Sequence, residues 1–85
     1  MWAKPTLARA IRGAKMRFGA RVRDLRRAEG LTQEEVAERA GVHPKYVSRV
    51  EGGLANPSLA VVIAIANALS LDPAHLFAQD APTRR

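Results

Sequence analysis

The tightest constraint in this sequence is a pair of short helical stretches, each punctuated by glycine, with almost no chain between them. Thr32 is a good N-cap, and Glu35 three residues on completes a capping box, so a helix begins there and runs through Val36, Ala37 and Ala40. Gly41 ends it, because glycine supplies a left-handed backbone conformation at low cost. Pro44 then suits the first turn of a new helix, where its missing N–H is not required. Tyr46, Val47, Val50 and Glu51 carry that helix to Gly52-Gly53, and the spacing turns Val47 and Val50 toward a core.

Helical patterns flank the pair. Phe18, Val22 and Leu25 recur at i, i+4 and i+7 with arginines between them, the stripe of a one-faced helix over residues 15–29, which Gly30 stops. Asn56-Pro57-Ser58 reads as a turn and an N-cap opening a helix over residues 59–69. A last short helix is expected after Asp72-Pro73, with Leu76 and Phe77 as its inward anchor. No segment alternates with period two long enough to make a strand, so the chain reads as all-α. Residues 1–14 stay ambiguous: Leu7 and Ile11 share a face of a possible extra helix, which Gly13 weakens.

Hydrophobic residues make up 47% of the 85 residues and aromatic ones 5%, so the core must be built mainly from Leu, Val, Ile and Ala. There is no cysteine, which excludes disulfides, thiolate metal sites and cysteine nucleophiles and points to a cytoplasmic setting. The longest apolar run, residues 59–66, is too short to span a bilayer, and no signal peptide is expected. His43 and His75 are far apart in sequence with no ligand cluster around them, so no metal site is expected, nor any other cofactor or small-molecule ligand. Glu34, Glu35 and Glu38 read as a solvated helix face, which leaves no constellation for an enzyme. The net charge of +6 is unevenly spread: residues 1–30 hold nine basic side chains against Asp24 and Glu29, an excess of +7, while the rest of the chain sums to −1. Such a basic half is either a solvated face or an element laid along phosphates.

The helix pair has the lengths and link of a helix-turn-helix, an arrangement that also occurs in purely structural bundles. The order of residues adds specificity. Leu31-Thr32-Gln33-Glu34-Glu35-Val36-Ala37, Ala40-Gly41-Val42, Tyr46-Val47-Ser48-Arg49-Val50-Glu51, Asn56-Pro57-Ser58-Leu59 and Ala66-Asn67-Ala68-Leu69 fall in the order and spacing of the XRE family, the helix-turn-helix domain of phage repressors and Cro. The region from Phe18 to Phe77 resembles that family. The resemblance implies a five-helix phage-repressor-like bundle over residues 15–77, preceded by a basic arm or short extra helix (1–14) and followed by a flexible tail (78–85). It also implies binding to sequence-specific double-stranded DNA, usually as a homodimer on a two-fold site.

Residue roles follow from the same resemblance. Gln33, at the start of the first motif helix, is placed to bind a phosphate. His43, Pro44, Lys45 and Arg49 hold positions that face the major groove in relatives, and Arg49 is the leading candidate to read a guanine through two hydrogen bonds. Lys45 either reads guanine or neutralises a phosphate. Tyr46, Ser48 and Asn56 are expected at the DNA backbone, Asn56 also nucleating its turn. Arg26 and Glu51 stand where some phage repressors carry an ion pair, so Glu51 reads as structural. One departure is the helix after Ser58, apolar on nearly every face, which needs a second covering surface. The candidates are the N-terminal segment bearing Trp2, Leu7 and Ile11 and a symmetry-related subunit, the favoured cover, with Val61, Ile65, Leu71 and Phe77 as contributors. The rival reading is an antitoxin or other interaction module whose DNA binding is autoregulatory.

Overall fold

The structure, a computed structural model, describes residues 3–72, which form four α-helices and no strand. They are α1 (Ala3–Ala28), α2 (Gln33–Ala40), α3 (Pro44–Glu51) and α4 (Leu59–Ala68). The helix expected after Asp72, with Leu76 and Phe77, lies outside the described residues, and the count of five rests on it. None of the described helices is long and apolar enough to cross a membrane.

The ambiguous N-terminal segment is part of α1, which runs unbroken through Gly13. A mid-helix glycine costs only about 1 kcal/mol relative to alanine, and its neighbours here are alanines, arginines and other good helix formers. Pro5 falls in the first turn of α1, where it removes no helical hydrogen bond.

The three shorter helices start on side-chain caps. Thr32 Oγ1 accepts from Glu35 N at 3.0 Å while Glu35 Oε1 accepts from Thr32 N at 2.8 Å, the reciprocal box expected from the sequence. Hydrogen bonding by the Thr32 backbone N–H, and after it by the Thr32 side chain, holds the Glu35 carboxyl below its ordinary pKa, so the box is intact above the carboxylate range and weakens as pH falls into it. His43 Nδ1 accepts from Lys45 N at 3.0 Å to cap α3, and Ser58 Oγ accepts from Val61 N at 3.2 Å to cap α4. Gly41, at φ 74°, ends α2 and turns the chain into α3.

Among the described residues, the largest fully buried side chains are Val22 of α1, Val36 of α2, Val47 and Val50 of α3, and Ile65 and Leu69 of α4 and its cap. Helix α2 packs on both α3 and α4, and α1 lies across α3. Ile65 corrects an expectation: its exposure is 0%, spent wholly inside its own subunit's core, so it has no surface to offer a second one. The solvent side of α4 instead presents Leu59 (72% exposed) and Ile63 (41% exposed), with Val61 half-buried on the other flank of the helix. Leu71 is half-buried against the core.

One glycine sets how closely α1 can approach α3. A Cβ on Gly19 would sit 2.8 Å from the Glu51 carbonyl oxygen and nearer still to that of Val50, so backbone meets backbone there. At Gly13, by contrast, a Cβ would meet only the flexible tip of Arg17, 3.1 Å away. Gly19→Ala is therefore expected to destabilise by about 1–3 kcal/mol through overpacking, lowering Tm by at least about 4 °C in a domain of this size. Gly13→Ala is expected to raise Tm by relieving the helix-interior penalty of glycine. Thermal melts of the two variants check this, and equal shifts would contradict the close contact.

Candidate nucleic-acid interface

The first turn of α2 and the outer face of α3 are held by one polar network among otherwise apolar contacts. Arg26 of α1 meets Glu51, the last residue of α3, in a bidentate pair: Nε donates to Oε2 at 2.6 Å and Nη2 to Oε1 at 3.0 Å. The two side chains are 11% and 3% exposed. Arg26 Nη1 also donates to the Leu31 carbonyl at 2.9 Å, and Gln33 Nε2 donates to Glu51 Oε1 at 3.0 Å. Glu51 is thereby bonded to α1 and α2 at once, and the loop between those helices is tied in through Leu31. The Glu51 hydrogen bond is the chief reason the Arg26 guanidinium is held above its ordinary pKa.

With its inner end fixed, α3 presents a single outward face. Lys45, Ser48 and Arg49 are exposed at i, i+3 and i+4, opposite the buried Val47 and Val50. Pro44 and Tyr46 are half-buried at the flanks, Tyr46 packed against the core. His43 is exposed in the turn, its Nδ1 engaged as the N-cap of α3. Arg49 Nη2 donates to the Leu54 carbonyl at 3.1 Å on the surface, so in the free protein its guanidinium leans on the loop that follows α3. Asn56 is exposed in that same loop, beside Lys15 of α1.

Gln33, expected at a phosphate, is bonded to Glu51, a contact that its place at a helix start does not reveal. The half-buried Gln33 side chain is a member of the bracing network, and a phosphate at the α2 N-terminus would meet the backbone N–H groups of that turn first. Gly19 was also missed as a packing determinant. A glycine next to Phe18 and one turn before Val22, on the flank of the apolar stripe, is the available signal. Among the described residues no group of three or more His, Asp or Glu side chains is arranged to hold a metal ion.

A short reading helix with one polar outer face, set behind a capped helix by a glycine turn, defines a helix-turn-helix DNA-binding regulator. Comparison with known proteins agrees. Residues 17–78 match the family described as helix-turn-helix domain. An uncharacterised HTH-type transcriptional regulator, y4dJ, of Sinorhizobium fredii is 40% identical over 58 residues, covering 68% of this chain and 75% of that protein. The immunity repressor of Bacillus phage phi105 is 31% identical over 65 residues, 76% of this chain but only 45% of the repressor. Among solved structures, the restriction-modification controller protein C.AhdI from Aeromonas hydrophila superposes with a TM-score of 0.75 at 42% identity, over 76% of this chain and 98% of that one. The clp gene regulator ClgR from Corynebacterium glutamicum superposes at 0.72 with 30% identity, over 74% and 67%. The chain belongs to the XRE-like helix-turn-helix family.

Removing one partner of a buried ion pair strands the other charge, at a cost of about 3–5 kcal/mol. Glu51→Ala is therefore expected to lower Tm and weaken duplex binding together, read by thermal melts and by titration of labelled duplex. An unchanged Tm would contradict a structural role for Glu51.

Proposed function

We propose that this protein regulates transcription by binding a near-palindromic DNA site as a homodimer in the cytoplasm, with α3 as the reading helix. The observation that carries this is the outward face of α3: Lys45, Ser48 and Arg49 are its exposed side chains, and the reverse side is locked into the core by Val47 and Val50. Arg49 reads a guanine by donating two hydrogen bonds to O6 and N7. It gives up only one exposed bond, to Leu54, in doing so. Lys45 and His43 extend the same surface, with Pro44 shaping its leading edge. Ser48, Tyr46, Asn56 and the first turn of α2 at Gln33 meet phosphates and fix the register of the helix in the groove. Relatives named as a phage immunity repressor and a restriction-modification controller support a regulatory role.

The homodimer rests on α4. Leu59 and Ile63 are large apolar side chains left in water on one side of that helix, and burying such a strip against its symmetry mate is favourable at about 25 cal/mol per Å². Val61, half-buried on the other flank of α4, and the half-buried Leu71 are the further expected contributors. Phe77 lies outside the described residues.

Selection of random duplexes by the purified protein tests the reading in one experiment. The wild type is expected to return two inverted half-sites with centres about 34 Å, one helical turn, apart. Arg49→Ala is expected to lose discrimination at one base pair in each half-site, about 1–3 kcal/mol. A single unrepeated site would remove the dimer, and no enrichment at all would remove sequence-specific binding.

A further inference from the structure

The N-terminal half of α1 carries strong charge that the helix-turn-helix does not account for. Asp24 is the first acidic residue of the chain, and Lys4, Arg9, Arg12, Lys15, Arg17, Arg21 and Arg23 precede it. The family match begins only at residue 17, yet α1 extends N-terminally to Ala3. All of residues 6–12 are exposed.

The direction in which this charge points can be read from contacts further along the helix. Arg9, Arg12 and Lys15 are three apart and form one row on the helix surface, spanning about 9 Å along its axis at 1.5 Å per residue. One turn beyond Arg12, on the same face, Met16 lies on Gly53: its Cγ is 3.0 Å from the place a Cβ on that glycine would take. Lys15 itself lines an open groove with Asn56 and Pro57. The row therefore starts beside the loop after α3 and runs outward from it, on the side of α1 that faces the end of the reading helix. Leu7 and Ile11, exposed apolar residues of the same segment, share a stripe with Lys15 at i, i+4 and i+8, while Arg9 lies on the side of the helix opposite them.

We propose that Arg9, Arg12 and Lys15 form a second phosphate-binding element, which engages the DNA backbone outside the segment covered by α2 and α3. This inference rests on the DNA-binding reading above, and it adds a longer footprint and a larger electrostatic contribution. Each phosphate neutralised releases counterions, so the row steepens the salt dependence of binding.

The test is a set of salt titrations on a long duplex of mixed sequence, followed by fluorescence anisotropy. The wild type is compared with Arg12→Gln, the triple variant Arg9→Gln/Arg12→Gln/Lys15→Gln, and Arg39→Gln. Arg39 is the charge-matched control, an exposed residue in the last turn of α2, the end away from the phosphate-facing N-terminus, where its Nη1 donates to the Ala68 carbonyl. The slope of log K against log salt is expected to fall by about 0.9 in Arg12→Gln and about 2.7 in the triple variant, with Arg39→Gln close to wild type. Thermal melts should match throughout, since the substituted side chains lie outside the core. Equal slopes for all four proteins would overturn the second element while leaving DNA binding by the helix-turn-helix standing. Failure of the wild type to bind duplex would overturn both. Tighter, row-dependent binding to phosphatidylserine vesicles than to duplex would assign the row to a membrane surface and overturn it as well.

Discussion

The position of the reading helix depends on a carboxylate that is almost wholly buried. Glu51 ends α3, and its two oxygens accept three hydrogen bonds, two from Arg26 of α1 and one from Gln33 of α2. A carboxylate at this depth is costly to desolvate and persists only when charge and geometry are both met. Arg26 supplies the opposite charge in a planar fork, and its third bond, to the Leu31 carbonyl, ties in the loop between α1 and α2. Rotation or sliding of α3 against the other two helices breaks several of these bonds at once. Apolar contacts among Val22, Val36, Val47 and Val50 supply burial but tolerate small displacements far better.

The remaining devices act on the same helix from other sides. Gly41 fixes the turn that delivers the chain to α3, and His43 caps its first turn. At the far end Gly19 lets α1 press its backbone onto the Val50 and Glu51 carbonyls, which sets the depth at which Arg26 enters. A change at Gly19 is thus felt at the reading face through Glu51, although the glycine touches no residue on that face. Lys45, Ser48 and Arg49 share no partner in the brace, so substitutions on the outer face of α3 leave its support intact.

Much of this was legible before any coordinates. The capping box at Thr32 and Glu35, the αL turn at Gly41 and the inward direction of Val47 and Val50 follow from local rules, because each is decided within a few residues of chain. The all-helical class follows from period alone. What escaped was decided between distant segments. Gln33 has the sequence signature of a helix start open to an anion, and only the arrival of Glu51 from eighteen residues away makes it part of a brace. Ile65 lies on a helix whose pattern is apolar all round, so periodicity could not say which side met the core, and the structure turns it fully inward while leaving Leu59 and Ile63 outside. Continuity of α1 across Gly13 was likewise hidden, since a single glycine lowers helix stability without fixing a break.

The polar geometry of this network, beyond its contribution to stability, aims α3. Replacing the pair by apolar residues of similar size separates the two effects, because such swaps of buried ion pairs are often neutral or stabilising. The decisive measurement is duplex affinity of Arg26→Met/Glu51→Leu, taken alongside its melting temperature. A Tm at or above that of the wild type is expected with clearly weaker duplex binding, since Gln33 and the Leu31 carbonyl lose the partners that orient the helix pair. Wild-type affinity in a variant of wild-type stability would contradict this aiming of α3 by the network.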